Sequence, residues 1–115
     1  MGINQWLANF KQHWIDHNVS GVLVLFDENI IYYETPFHMI TDKKTLGEVW
    51  QGIGDQRNIQ LELEVFNQEK TKFSVLWKLK YIDQENADKE YAGTYLIELN
   101  VKNKCTYFHH TCEGL

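Results

Sequence analysis

Apolar residues recur at two different periods along this chain, and the change from one to the other divides it. Ile3, Trp6, Leu7, Phe10 and Trp14 follow spacings of three and four, which puts them on one stripe of a helix over roughly residues 3–17. "SGVLVLF" is ambiguous: its β-branched residues favour a strand, whereas Ser20 is a good N-cap and "DEN" a good stop for a short helix. "IIYYETPF" reads as a strand that ends near Pro36. "TDKKTLGEVWQGI" reads as a second long helix, capped by Thr41 or Asp42, with Leu46, Val49, Trp50 and Ile53 on its buried side.

From Asn58 onward the period is two. Ile59, Leu61, Leu63 and Val65 alternate with polar residues, and after "NQEKT" so do Phe73, Val75, Trp77, Leu79 and Tyr81. "DQENADKE" is a charged loop, "YAGTYLIELN" a third strand of this group, "VKNK" a tight connection and "CTYFHHTC" the last strand. Helices first and an antiparallel meander afterwards predict an α+β domain whose curved antiparallel sheet wraps around three helices, a cone-shaped α+β barrel.

Composition narrows the class without changing this outline. A chain of 115 residues, 43% hydrophobic and 14% aromatic with a single proline, suits one domain over residues 1–115. The formal charge is -5 and the basic residues are scattered, so no stripe for nucleic acid is expected. The chain has no apolar run long enough for a membrane span, and its N-terminal segment lacks an export pattern, so a cytoplasmic protein is expected.

The order of these elements and several strings resemble the SnoaL-like branch of the nuclear transport factor 2-like superfamily. The strings are "FDENIIYYETP", Trp50, Trp77, "AGTYLIEL" with Gly93, and Lys104 with Cys105. The resemblance implies a short helix in "SGVLVLF", a pocket in the mouth of the cone, and dimerisation through the sheet. It does not choose a function, since that fold houses isomerases, cyclases, dehydratases, epoxide hydrolases and proteins that only bind. Two of those chemistries lose their residues here. The position before the proline, where a ketosteroid isomerase carries its catalytic Asp, is Thr35, and the position of that enzyme's helix-1 Tyr falls near Lys11. The Asp-Arg-Asp cluster of the epoxide hydrolases has one possible Arg, Arg57 in a loop.

Candidate chemistry concentrates in the last strand, where Cys105, His109, His110 and Cys112 lie close in sequence. A four-residue hairpin loop would set Asn100 against Cys105, Ile97 against Phe108, Tyr95 against His110 and Gly93 against Cys112. The two cysteines would then lie about 23 Å apart at roughly 3.3 Å per residue, on opposite faces, too far for a disulfide or a shared metal ion. No metal and no cofactor is called for. Tyr95 and His110 are expected to face the cavity, either satisfying each other or serving as recognition and acid–base groups, with His110 as acid or base and the Tyr95 hydroxyl as oxyanion donor. Trp14, Trp50 and Trp77 are either core or ligand wall, and Tyr33, Thr35 and Phe108 complete the expected ligand-binding set. Glu34, pointing away from Tyr33 and Thr35, reads as a solvated or interface carboxylate. Leu76, Ile82, Leu96 and Tyr107 fall on the opposite, convex face and predict a homodimer there. The sequence thus points to binding or turnover of a small hydrophobic or aromatic molecule, by isomerase, cyclase or dehydratase chemistry if it is an enzyme. The alternative is a non-catalytic dimerisation or partner-binding module whose pocket is filled by side chains.

Overall fold

The computed structural model describes residues 2–115; Met1, which belongs to the N-terminal segment read above, lies outside the described residues. The chain order is α1 (Ile3–Ile15), α2 (Val19–Val24), β1 (Phe26–Thr35), β2 (His38–Ile40), α3 (Lys43–Trp50), a 3-10 turn (Gln51–Asp55), β3 (Arg57–Glu69), β4 (Lys72–Ile82), β5 (Asp88–Leu99) and β6 (Cys105–Gly114). It is an α+β fold in which one curved sheet of six strands, ordered β2-β1-β6-β5-β4-β3, wraps over three helices.

Local chemistry explains most boundaries. Helix α1 ends at Ile15 with Asp16 as its C-cap, and His17 takes a left-handed φ of 57°, so the helix stops two residues before the expected end. The short helix α2 forms as the resemblance implied, but its cap is Asn18, whose side chain accepts from the Gly21 N–H, and not Ser20. The Asp42 carboxylate accepts from the Thr45 N–H at 2.8 Å and starts α3, one of the two caps expected. "DEN" does not stop a helix there; it lies inside β1. The β3–β4 turn is also tighter than "NQEKT" implied, with Glu69 paired to Lys72 and Lys70 left-handed.

Strands β3 to β6 form the expected antiparallel meander, but β1 runs parallel to β6, so the sheet is mixed and not wholly antiparallel. The short edge strand β2, absent from the sequence reading, pairs with β1 beyond the Thr35–Phe37 turn. The central register is as expected for three pairs: Gly93 with Cys112, Tyr95 with His110, and Ile97 with Phe108. It then slips. Leu99, not Asn100, pairs with Cys105, because a bulge between Glu98 and Leu99 accommodates Thr106. The slip returns Cys105 to the face of Phe108, so both cysteines share the concave side, contrary to the parity argument. Cys105 is fully buried, and its Sγ donates to the Tyr107 carbonyl at 3.0 Å.

Phe10 of α1 is the hub of the core. Its ring meets Trp6, Trp14, Trp50, Tyr95 and Phe108 at centroid distances of 5.2 to 6.1 Å. Edge-on and offset contacts of this kind add to what burial alone contributes. They fix α1 and α3 against the concave face and leave a space beside them.

Candidate functional site

That space is a cavity of about 350 Å³ between α1, α3, the 3-10 turn and the concave face of β1, β4, β5 and β6. Trp14 enters from α1, Trp50 from α3, Trp77 from β4 and Tyr95 from β5, each at least nine-tenths buried yet lining the space. Trp77 stacks on Tyr95 at 5.2 Å, and Trp14 meets Trp50 edge-on at 4.9 Å. Core and cavity wall are therefore the same side chains.

Strand β1 departs from the expectation. Its buried residues are Phe26, Ile30 and Tyr32, so from Ile30 onward the side facing the helices is that of the even-numbered positions. Tyr32 and Glu34 line the cavity. Tyr33 lies on the convex face, packed against His109 and Tyr107. Thr35 is exposed at the strand end, where its hydroxyl accepts from the Phe37 N–H at 3.2 Å. Neither of these two expected ligand contacts reaches the cavity. Glu34, read as a solvated or interface carboxylate, does. The cause is in the string "IIYY", which presents one Ile and one Tyr to each face and carries no parity signal. Phe108 is on the concave side as expected but is sealed in the core beneath Tyr32 and Tyr95, at 4.9 and 4.6 Å.

Three polar groups converge on the cavity. The Tyr32 hydroxyl donates to Glu34 Oε1 at 3.2 Å. His110 Nδ1 lies 2.7 Å from the Glu34 carbonyl oxygen, which can only accept, so Nδ1 carries the proton. In the neutral ring that leaves Nε2 as an acceptor and base. Tyr95 and His110 do not satisfy each other; their rings are 5.7 Å apart, and no hydrogen bond joins them. Burial first, then the negative charge of Glu34, hold the Tyr32 and Tyr95 phenols well above their ordinary pKa. The same two causes raise the Cys112 thiol at the cavity edge. Glu34 is thus a negative charge shared by all three groups.

Two donors are left over. The Nε1 atoms of Trp50 and Trp77 are buried without a hydrogen-bond partner, whereas Trp14 Nε1 donates to Gln56 Oε1 at 2.7 Å. Trp50 Nε1 is near enough to the Tyr32 oxygen to favour its phenolate slightly, but it makes no bond of good geometry. Among the described residues no three His, Cys, Asp or Glu side chains converge as a metal site would need, and both cysteines are free thiols.

No family model and no curated protein matches the chain. Solved structures do. The Δ5-3-ketosteroid isomerase of Mycobacterium sp. superposes with a TM-score of 0.81 at 12% identity, covering 98% of both chains. A nuclear transport factor 2-like protein from Exiguobacterium sp. 255-15 superposes with a TM-score of 0.77 at 11% identity, covering 94% of this chain and 98% of that one. A Mycobacterium tuberculosis protein in complex with estradiol-17β-hemisuccinate gives 0.77 at 14% identity, covering 90% and 88%. At these identities the likeness is one of fold, and it is the fold that the sequence resemblance implied.

Proposed function

We propose, with the nuclear transport factor 2-like fold as premise, that the protein binds a small hydrophobic or aromatic molecule in the cone's cavity. The observation that carries this reading is the cavity itself: about 350 Å³, walled by Trp14, Trp50, Trp77 and Tyr95, with Glu34 and His110 at its polar side. Small-molecule sites are commonly cavities of roughly 300–1,000 Å³ that combine apolar walls with a few placed polar groups. The alternative of a purely structural module expects a filled cone, and an open cavity speaks against it. One structural neighbour binds a steroid ester and another isomerises ketosteroids, which supports a hydrophobic body for the ligand.

His110, with its proton fixed on Nδ1, and the Glu34 carboxylate are suited to moving a proton to or from such a ligand. Tyr95, whose phenol stays protonated, is suited to donating to a developing oxyanion. Tyr33 and Thr35 have no part in this reading. The protein is further proposed to act as a homodimer through the convex face. Native mass spectrometry of the protein as purified from cells tests the binding reading: a retained small molecule, lost on unfolding, is expected. A cavity that takes up neither cellular metabolites nor a hydrophobic dye would overturn it.

A further inference from the structure

The charge of the cavity lining is one-sided. Seven of its lining residues are Trp or Tyr, Glu34 is its one carboxylate, and no lysine or arginine lines it. Aromatic rings attract cations through their negative faces, and the attraction strengthens where water is excluded. Glu34 Oε1 accepts from Tyr32, and neither Oε2 nor His110 Nε2 has a partner among the described residues, so two acceptors stand open beside the unpartnered indole donors of Trp50 and Trp77. No cationic side chain opposes them. An anionic group placed there would meet the Glu34 carboxylate in a partly desolvated space, where like charges repel more strongly than in water.

We infer that the ligand of this cavity is a lipophilic organic cation: an ammonium group held by Glu34, His110 and the surrounding aromatic rings, on an apolar body packed against Trp14, Trp50 and Trp77. This rests on the proposed small-molecule site and adds the charge of its ligand. The salt-bridged ammonium would donate to Glu34 Oε2 and to Nε2 of His110, satisfying both acceptors at once.

The test uses three probes of one shape and different charge: 2-phenylethylamine, 2-phenylethanol and 3-phenylpropionate, titrated at pH 7 against tryptophan fluorescence and by NMR. The amine is expected to bind at least tenfold more tightly than the alcohol, and the propionate more weakly than either. In Glu34→Gln, whose amide oxygen can still accept from Tyr32, the amine-to-alcohol ratio should fall to near one. The comparison within the unmodified protein stands even where the variant folds poorly. An alcohol or propionate that binds as tightly as the amine overturns the cation assignment and leaves the binding site intact. Failure of all three to bind at millimolar concentration overturns the cavity as a site for molecules of this size, and the cation assignment with it.

Discussion

Tyr32 and Tyr95 carry two of the six tyrosine hydroxyls into the aromatic wall, and their environment makes them reluctant acids. Burial raises both above the ordinary value of 10.0, and the negative charge of Glu34 raises them further. The sign of the consequence follows from linkage. Below pH 10 both states keep these protons; above it the unfolded chain releases them while the folded chain holds them, so stability falls as pH rises. Absorbance of tyrosinate in the folded protein should therefore fall short of six groups until the chain unfolds in alkali. A full six titrating near pH 10 with native circular dichroism would contradict the burial. The Tyr95 hydroxyl allows a second prediction at this scale. Tyr95→Phe keeps the ring stacked on Trp77, and should change stability by less than about 1 kcal/mol while weakening a ligand that hydrogen-bonds it by about 1 kcal/mol, roughly fivefold. His110→Ala should weaken the ligand by more, since it removes the group whose Nδ1–H is anchored on the Glu34 carbonyl. If both variants melt early yet bind like the parent, Tyr95 and His110 are structural.

At the scale of elements, close approach of β5 and β6 depends on a residue without a side chain. A Cβ on Gly93 would stand 1.9 Å from the Thr111 carbonyl oxygen and 2.8 Å from the Cys112 Cα, both backbone atoms that cannot swing aside. Gly93→Ala should then force the strands apart and lower stability by about 1–3 kcal/mol or more, read as a fall in the urea midpoint. An unchanged midpoint would mean that β6 yields freely there. Strands β4 to β6 were legible because each pairs with its neighbour in sequence, and the Tyr95–His110 pairing agrees with the expected register because the bulge at Thr106 offsets a loop one residue longer than expected. Three things were not. The parallel pairing of β1 with β6 joins residues that are distant along the chain and leaves no local mark. The bulge at Thr106 depends on the turn after Leu99, where Asn103 takes φ 61° and the Asn100 side chain accepts from the Lys102 and Lys104 N–H groups. Glu34 entered the site unseen because the doublets before it fit either face.

The whole molecule has one sheet face covered by helices and the other uncovered. On it Ile31, Leu76 and Leu96 are 40 to 45% exposed, beside the packed rings of Tyr33, Tyr107 and His109. An apolar band across an uncovered sheet surface is what the proposed homodimer would bury. In a two-fold interface each residue is used twice, so one substitution introduces two changes. Leu96→Glu would place a carboxylate in the middle of the band on both partners and is expected to weaken dimerisation at least about 100-fold, an effect of roughly 2.7 kcal/mol. The fold should tolerate it, because Leu96 is already 45% exposed and its backbone pairs with Ser74 and His109 are unaffected by the side chain. Sedimentation at micromolar concentration should give a dimer for the parent and a folded monomer for the variant. A parent that sediments as a monomer would remove the dimer, while leaving the cavity on the opposite face of the sheet as it stands.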